Sequence, residues 1–170
     1  MSPDRPPRAP GFPYVGLHRY FVTICTARRQ SWFQHAEAAT WLTTQILHLS
    51  EPEDFAVVAF CVMPDHVHLL LEGLTVDADL RAAVHKWKLR TGFAWRHRTG
   101  QRLWQEGFHD YVLRDDDSVA GLVRYIIDNP IRAGLVDDVR RYEYLGSSRY
   151  SLAELADIVI DWRPPWKSRR

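Results

Sequence analysis

The chain has 170 residues, of which 46% are apolar and 25% are charged, and its formal net charge is +1. This composition is typical of one soluble globular domain, and a charge so near zero is no sign, by itself, of a nucleic-acid partner. No apolar run is as long as a membrane span and the first residues lack a signal-peptide core, so we expect a cytoplasmic protein with no membrane partner. Both cysteines, Cys25 and Cys61, lie in apolar runs and are expected to be buried thiols rather than a disulfide.

The termini differ in composition from the middle of the chain. Residues 1–18 are rich in Pro and Arg and predict an extended arm. The main domain is predicted at 19–150. Residues 151–170 are interpreted as a C-terminal extension with a basic tail.

The first half of the main domain alternates strand and helix patterns. β-branched and aromatic residues predict a strand at 20–26, and helical spacing of apolar residues predicts a helix at 36–49. Two apolar strands follow at 55–63 and 66–72, joined by a Pro-Asp turn. The sequence therefore predicts a hairpin near the centre of a sheet.

Two histidines, His66 and His68, flank a single valine at the start of the third strand. Residues i and i+2 of a strand point to the same face, so both imidazoles share one face and Val67 points to the other. Two neutral imidazoles side by side can bind one metal ion. Two histidines on a solvated strand face need no ligand, so the pair alone leaves both interpretations open.

A basic helix is predicted after the third strand, with Thr75 as a possible cap and Gly92 as a possible interruption. No Asp or Glu occurs between 81 and 105, which favours a basic face directed at an anionic partner, although a solvated face explains the charge equally well. The cations of this segment are Arg81, Lys86, Lys88, Arg90, Arg96, Arg98 and Arg102.

Aromatic residues alternate with these cations at Trp87, Phe93 and Trp95. Such a mixture suits single-stranded nucleic acid, because bases stack on aromatic rings while cations neutralise phosphates. Aromatic residues more often pack in the core, and the core interpretation is favoured for these three.

The last predicted helix carries a polar pair beside an apolar stripe. Residues 104–114 predict a loop and a fourth strand, and Ser118 is placed to cap a helix that Pro130 ends near Asn129. Tyr125 and Asn129 lie at i and i+4 on the flank of the stripe that faces the sheet. The stripe consists of Val119, Leu122, Val123, Ile126 and Ile127.

This order of elements predicts an α+β fold, a ferredoxin-like sandwich with a central antiparallel sheet of four to five strands and helices packed on it. The same motifs, in the same order, resemble those of the single-tyrosine HUH transposases, and in particular of the REP-associated tyrosine transposases. The resemblance covers about 14–150. The matching stretches are 20–23, 62–69, 104–114, 125–130, 132–136 and 147–148.

The resemblance implies that 19–150 is an HUH tyrosine transposase domain that cuts and rejoins single-stranded hairpin DNA. It implies that His66 and His68 bind a divalent metal ion, Mg²⁺ or Mn²⁺, and that Tyr125 is the nucleophile that forms a 5′-phosphotyrosine intermediate. Asn129 falls where the family places a third polar ligand, often a longer glutamine. Members of the family include monomers and homodimers, and the sequence leaves that choice open.

From charge alone, the candidate DNA-binding residues are Lys86, Lys88 and Arg90. Two other interpretations remain open at this point: a hairpin-binding protein without strand transfer, and a hydrolase that uses activated water. For Tyr125 by itself, a half-buried tyrosine packed on the sheet is an ordinary alternative, and Asn before Pro is a common end of a helix.

Overall fold

The structure is a computed structural model, and it describes residues 11–50 and 54–158. The strands are β1 (Arg19–Cys25), β2 (Phe55–Met63), β3 (His66–Gly73), β4 (His109–Val112) and β5 (Leu145–Gly146). The helices are α1 (Ala36–Leu47), α2 (Leu80–Thr99), α3 (Val119–Ile127), α4 (Asn129–Arg132) and α5 (Leu152–Ala156). Short 3₁₀ turns cover Ala27–Arg29, Trp32–Gln34, His48–Ser50 and Val139–Arg141.

The described residues form one five-stranded antiparallel sheet in the order β4-β1-β3-β2-β5. The β2–β3 hairpin turns at Pro64 and Asp65 and contributes two of the three inner strands, as predicted. The α+β prediction of a ferredoxin-like sandwich is therefore confirmed.

The two faces of the sheet are covered by different helices. Along β3, Val67, Leu69 and Leu71 are fully buried in the core formed with α1 and α2. On the other face, Leu70 packs in a second core with the apolar stripe of α3 and with α5. The period of two along β3 thus divides its side chains between two cores.

Helix α2 differs from its prediction at its start and in its middle. The N-cap is Asp79, whose carboxylate accepts a hydrogen bond from the backbone N–H of Ala82 at 3.0 Å, so the predicted cap at Thr75 is wrong. Gly92 does not interrupt the helix, which continues to Gly100 in the left-handed conformation.

The aromatic residues of α2 point in different directions. Trp87 and Trp95 are 3% and 4% exposed and belong to the core, as favoured above, so they offer no surface for stacking bases. Phe93 is 76% exposed, and the core interpretation is wrong for this residue.

The last helical region begins as predicted but ends differently. The hydroxyl of Ser118 accepts a hydrogen bond from the N–H of Gly121 at 3.0 Å, which confirms the cap. Helix α3 ends at Ile127, before Pro130 is reached. Pro130 lies in the first turn of the next helix, α4, rather than ending α3. Proline fits this position, because first-turn N–H groups lack helical acceptors anyway.

Residues on both sides of 19–150 also contact the packed core. Gly16 N–H donates to the Ala78 carbonyl and the Tyr14 carbonyl accepts from Leu80 N–H, each at 3.0 Å. Leu155 of α5 is buried against α3. The first part of the predicted arm and the basic tail lie outside the described residues. Among the described residues, no helix is long and apolar enough to cross a membrane.

Candidate active site

The hairpin turn places both histidines on the α3 side of the sheet. His66 lies opposite Cys25 in β1 and Met63 in β2, and His68 lies opposite Thr23 and Cys61. Opposed residues of antiparallel strands point to the same side, so each histidine lies in a row of side chains across the strands at the hairpin end of this face.

The two imidazoles converge through their outer nitrogens. The Nε2 atoms of His66 and His68 are 3.1 Å apart. Each Nδ1 has its own partner: the Asp65 carboxylate lies 2.6 Å from His66 Nδ1, and the Thr23 hydroxyl lies 2.8 Å from His68 Nδ1. Partners on the far nitrogen fix ring orientation and leave Nε2 to bind a ligand.

Asp65 is itself held in place. Its second carboxylate oxygen pairs with Arg29 Nε at 2.9 Å, and its backbone carbonyl accepts from the hydroxyl of Thr26 at 3.0 Å. Burial lowers the pKa of His66 from its usual range, against the raising effect of its hydrogen bond to Asp65. The lowered pKa favours the neutral imidazole, which is the protonation state that binds a metal.

The histidine pair fits a divalent ion. Two nitrogens that each bind one ion at about 2.1 Å lie about 3 Å apart when they occupy neighbouring positions, close to the observed spacing. Among the described residues, no group of three His, Cys, Asp or Glu side chains is placed to hold a metal. A two-histidine site would leave further positions to oxygen ligands from substrate and water.

Tyr125 lies beside this pair, although it comes from a distant part of the sequence. Its ring is half-buried, with its centroid 6.5 Å from that of His68 and 6.0 Å from that of Phe21 in edge contact. The structure thus brings Tyr125 and both predicted histidines together at one end of one sheet face.

Two residues after α3 hold the end of the helix at Tyr125. Arg132 places its guanidinium carbon 4.3 Å from the centre of the tyrosine ring and donates to the Tyr125 carbonyl at 2.7 Å. Asn129 Nδ2 donates to the carbonyls of Tyr125 and Ile126 at 3.0 and 3.1 Å. The amide nitrogen of Asn129 therefore caps the helix end, and a role of this residue as a metal ligand stays a prediction.

The predicted DNA-binding residues separate into two groups. Lys86 and Arg90 are exposed on the outer side of α2, across the sheet from the histidines. Lys88 is half-buried, and its ammonium donates to the carbonyls of Gln105 and Gly107. Burial also lowers the pKa of Lys88. Because its two hydrogen bonds anchor the loop before β4, this residue does not share the exposed face.

Sequence reasoning missed the supporting residues of the site. The sequence indicates only a turn position for Asp65, and Thr23 is placed by the β1–β3 register, which local patterns do not show. One feature of the sequence could have indicated Arg132. It lies seven residues after Tyr125, a spacing that places both residues on the same side of a helical region.

Comparison with known proteins identifies the family. The model of the family "Transposase IS200 like" matches residues 14–129, more than half of the chain, and the chain belongs to this family of transposases. A curated protein of Haemophilus influenzae described as a REP-associated tyrosine transposase is 31% identical over 121 residues, which cover 64% of this chain and 66% of that protein. The match thus spans slightly less than two thirds of the relative's length.

A solved structure supports the same fold. A REP-associated tyrosine transposase bound to a REP hairpin superposes with a TM-score of 0.69 and 22% sequence identity, covering 90% of this chain and 89% of that chain. The fold resemblance drawn from the sequence is therefore confirmed.

Proposed function

We propose that this protein is a metal-dependent endonuclease and strand transferase that acts on single-stranded, hairpin-forming DNA through Tyr125. The observation that carries the proposal is that a tyrosine lies beside two oriented histidines. The ring centroids of Tyr125 and His68 are 6.5 Å apart. Membership of the IS200-like transposase family supports DNA as the substrate class, and the REP hairpin bound to the similar solved transposase supports hairpins in particular.

His66 and His68 would hold the metal through their Nε2 atoms, with Asn129 as the proposed third ligand still to be tested. A bound Mg²⁺ or Mn²⁺ would neutralise charge on the scissile phosphate. Asp65 and Thr23 keep the two imidazoles in the orientation that metal binding through Nε2 requires.

The chemistry of the chain's own residues is a transesterification. The hydroxyl oxygen of Tyr125 attacks phosphorus, the bond from phosphorus to the 3′ oxygen breaks, and the proton lost by the phenol balances the one gained by the new 3′-hydroxyl. The product is a 5′-phosphotyrosine. A 3′-hydroxyl from another strand reverses the step, joins the DNA and restores the tyrosine without ATP.

Arg132 acts here as a positioning residue. It contacts both the ring and the carbonyl of Tyr125, so it restricts the ring to the side of α3 that faces His68. Away from this site, Lys86 and Arg90, and to a smaller extent Lys88, are the proposed contacts to the DNA backbone.

A covalent-trapping assay tests the proposal. End-labelled single-stranded hairpins from the flanks of the gene are mixed with protein and Mg²⁺ or Mn²⁺ and separated on a denaturing gel. We expect a shifted band that needs the metal and is lost in Tyr125→Phe and in His66→Ala. Tyr111→Phe is the matched control, since Tyr111 lies on the same sheet face and bonds to Asp117 instead.

Three outcomes would overturn the proposal. Equal adduct in Tyr125→Phe would exclude this nucleophile. Cleavage that leaves free 5′-phosphate ends and no adduct would indicate a hydrolase that uses water. Hairpins retarded on a native gel without any cleavage, whatever the metal, would indicate a DNA-binding protein without strand transfer.

A further inference from the structure

The outer side of α2 combines exposed apolar side chains with cations. Leu89 and Phe93 are 60% and 76% exposed, and Lys86, Arg90 and Arg96 are exposed beside them. Spacings of three, four and seven residues place all five on one side of the helix, opposite the buried tryptophans. We call these five residues the α2 stripe.

The positive charge of the α2 stripe is not compensated within the described residues. There, no carboxylate pairs with Lys86, Arg90 or Arg96, whereas the nearby Arg98 pairs with Glu37 at 2.8 Å. The helix itself contributes no acidic residue. An anionic partner would therefore meet unpaired cations on both sides of an exposed aromatic ring.

The chemistry of the α2 stripe matches one class of ligand. Cations neutralise phosphates without reading sequence, and an exposed ring stacks unpaired bases. From Lys86 to Arg96 the helix rises about 15 Å, which is the length of roughly four stacked nucleotides. A second copy of the chain fits poorly, because pairing two such stripes would bring like charges together.

We propose that the α2 stripe is a second DNA-binding surface, which holds single-stranded DNA by stacking on Phe93 and by phosphate contacts to the cations. It lies on the sheet face opposite His66 and His68, so it binds a segment other than the one being cut. The inference deepens the proposed function and rests on it for the identity of the nucleic acid as DNA.

Fluorescence anisotropy with a labelled (dT)15 oligonucleotide and the full chain, in EDTA so that nothing is cut, tests this surface. Phe93→Ala is expected to bind about tenfold more weakly, the usual size of one lost base stack. The matched control is Val76→Ala, which removes another exposed apolar side chain, 73% exposed, away from the stripe. Equal affinity of Phe93→Ala and the wild type would overturn the proposal.

Salt dependence tests the cations separately. The triple variant Lys86→Gln, Arg90→Gln, Arg96→Gln should reduce the slope of log affinity against log salt concentration by about 2, because each single-strand phosphate contact contributes about 0.7. An unchanged slope would mean that these cations do not contact the phosphates.

Crosslinking locates the DNA-binding surface, and sedimentation velocity tests whether a second copy of the chain covers the α2 stripe instead. (dT)15 carrying one iodouracil should crosslink under ultraviolet light to the α2 peptide that contains Phe93. Crosslinks confined to the opposite sheet face would overturn the proposal. So would a wild-type dimer that dissociates in Phe93→Ala, because a second copy would then cover the stripe.

The two proposals fail in different ways. If the wild-type protein forms adducts on hairpins but Phe93→Ala binds (dT)15 as tightly as the wild type, only the proposal for the α2 stripe is overturned. If the protein crosslinks to DNA through the Phe93 peptide but never forms an adduct, the strand-transfer proposal is overturned and the proposed DNA-binding surface stands.

Discussion

The two faces of the sheet use the same strand for different purposes. Towards α1 and α2, β3 presents Val67, Leu69 and Leu71, all fully buried. Towards α3, it presents His66 and His68 before it returns to an apolar residue, Leu70. One face is therefore core throughout, while the other is core only where α3 and α5 cover it.

This difference shows how a small domain accommodates a polar site. Polar groups in an apolar layer lower stability unless each has a partner, and here Thr23 and Asp65 provide them. A shift of one residue in the register of β3 would exchange the two faces and remove both the core and the site.

The largest expected effect comes from breaking the core face. Val67→Asp should lower the free energy of unfolding by about 4 kcal/mol or more, because it buries a carboxylate with no partner. His68→Leu should cost no more than about 2 kcal/mol, because it places an apolar side chain at this position and leaves only the half-buried Thr23 hydroxyl without its partner. Urea unfolding curves measure both. If His68→Leu proves as damaging as Val67→Asp, the two faces are equally important for stability.

An intermediate effect is expected from removing one supporting group on the site face. Thr23→Val keeps the shape of the side chain and removes the partner of His68 Nδ1, so Mn²⁺ should bind about tenfold more weakly, as measured by calorimetric titration. The control is Thr43→Val, which removes a hydroxyl that bonds a helix carbonyl in α1. Identical Mn²⁺ affinity in both variants would show that Thr23 does not orient the histidine.

The smallest expected effect distinguishes the two roles of Asn129. Asn129→Ala should lower the free energy of unfolding by about 1 kcal/mol, because it removes a cap from α3. Asn129→Asp should be at least as destabilising, since its negative charge would face helix carbonyls, but it keeps a side-chain oxygen that could bind Mn²⁺. Unchanged Mn²⁺ affinity in both variants would leave Asn129 with the capping role alone. If the aspartate variant binds Mn²⁺ as tightly as the wild type and the alanine variant does not, Asn129 is a metal ligand.

Local patterns were sufficient for the hairpin and for the shared face of His66 and His68, because a period of two is a property of one strand. They also identified the apolar stripe of α3 and its Ser118 cap. The position of Thr23 depends on pairing between strands far apart in sequence, which no local pattern contains.

The aromatic residues of α2 show a different kind of error. Trp87 and Trp95 follow the helical spacing of the buried Leu80 and Val84, whereas Phe93 lies on the opposite side. Helical spacing alone therefore separates Phe93 from the two tryptophans. Assigning all three rings to the core as one group overlooks this difference. The direction of the Asn129 amide could not have been predicted, because it depends on where α3 ends.

The hairpin that carries both histidines also affects the order in which the site is assembled during folding. Adjacent antiparallel strands joined by a short turn pair within about 1–10 μs, because little chain entropy is lost in bringing them together. Tyr125 reaches the histidines only after α3 has been synthesised and packed on the sheet. We therefore expect that a nascent or truncated chain has the ligand pair without the proposed nucleophile, and that incomplete molecules leave DNA uncut.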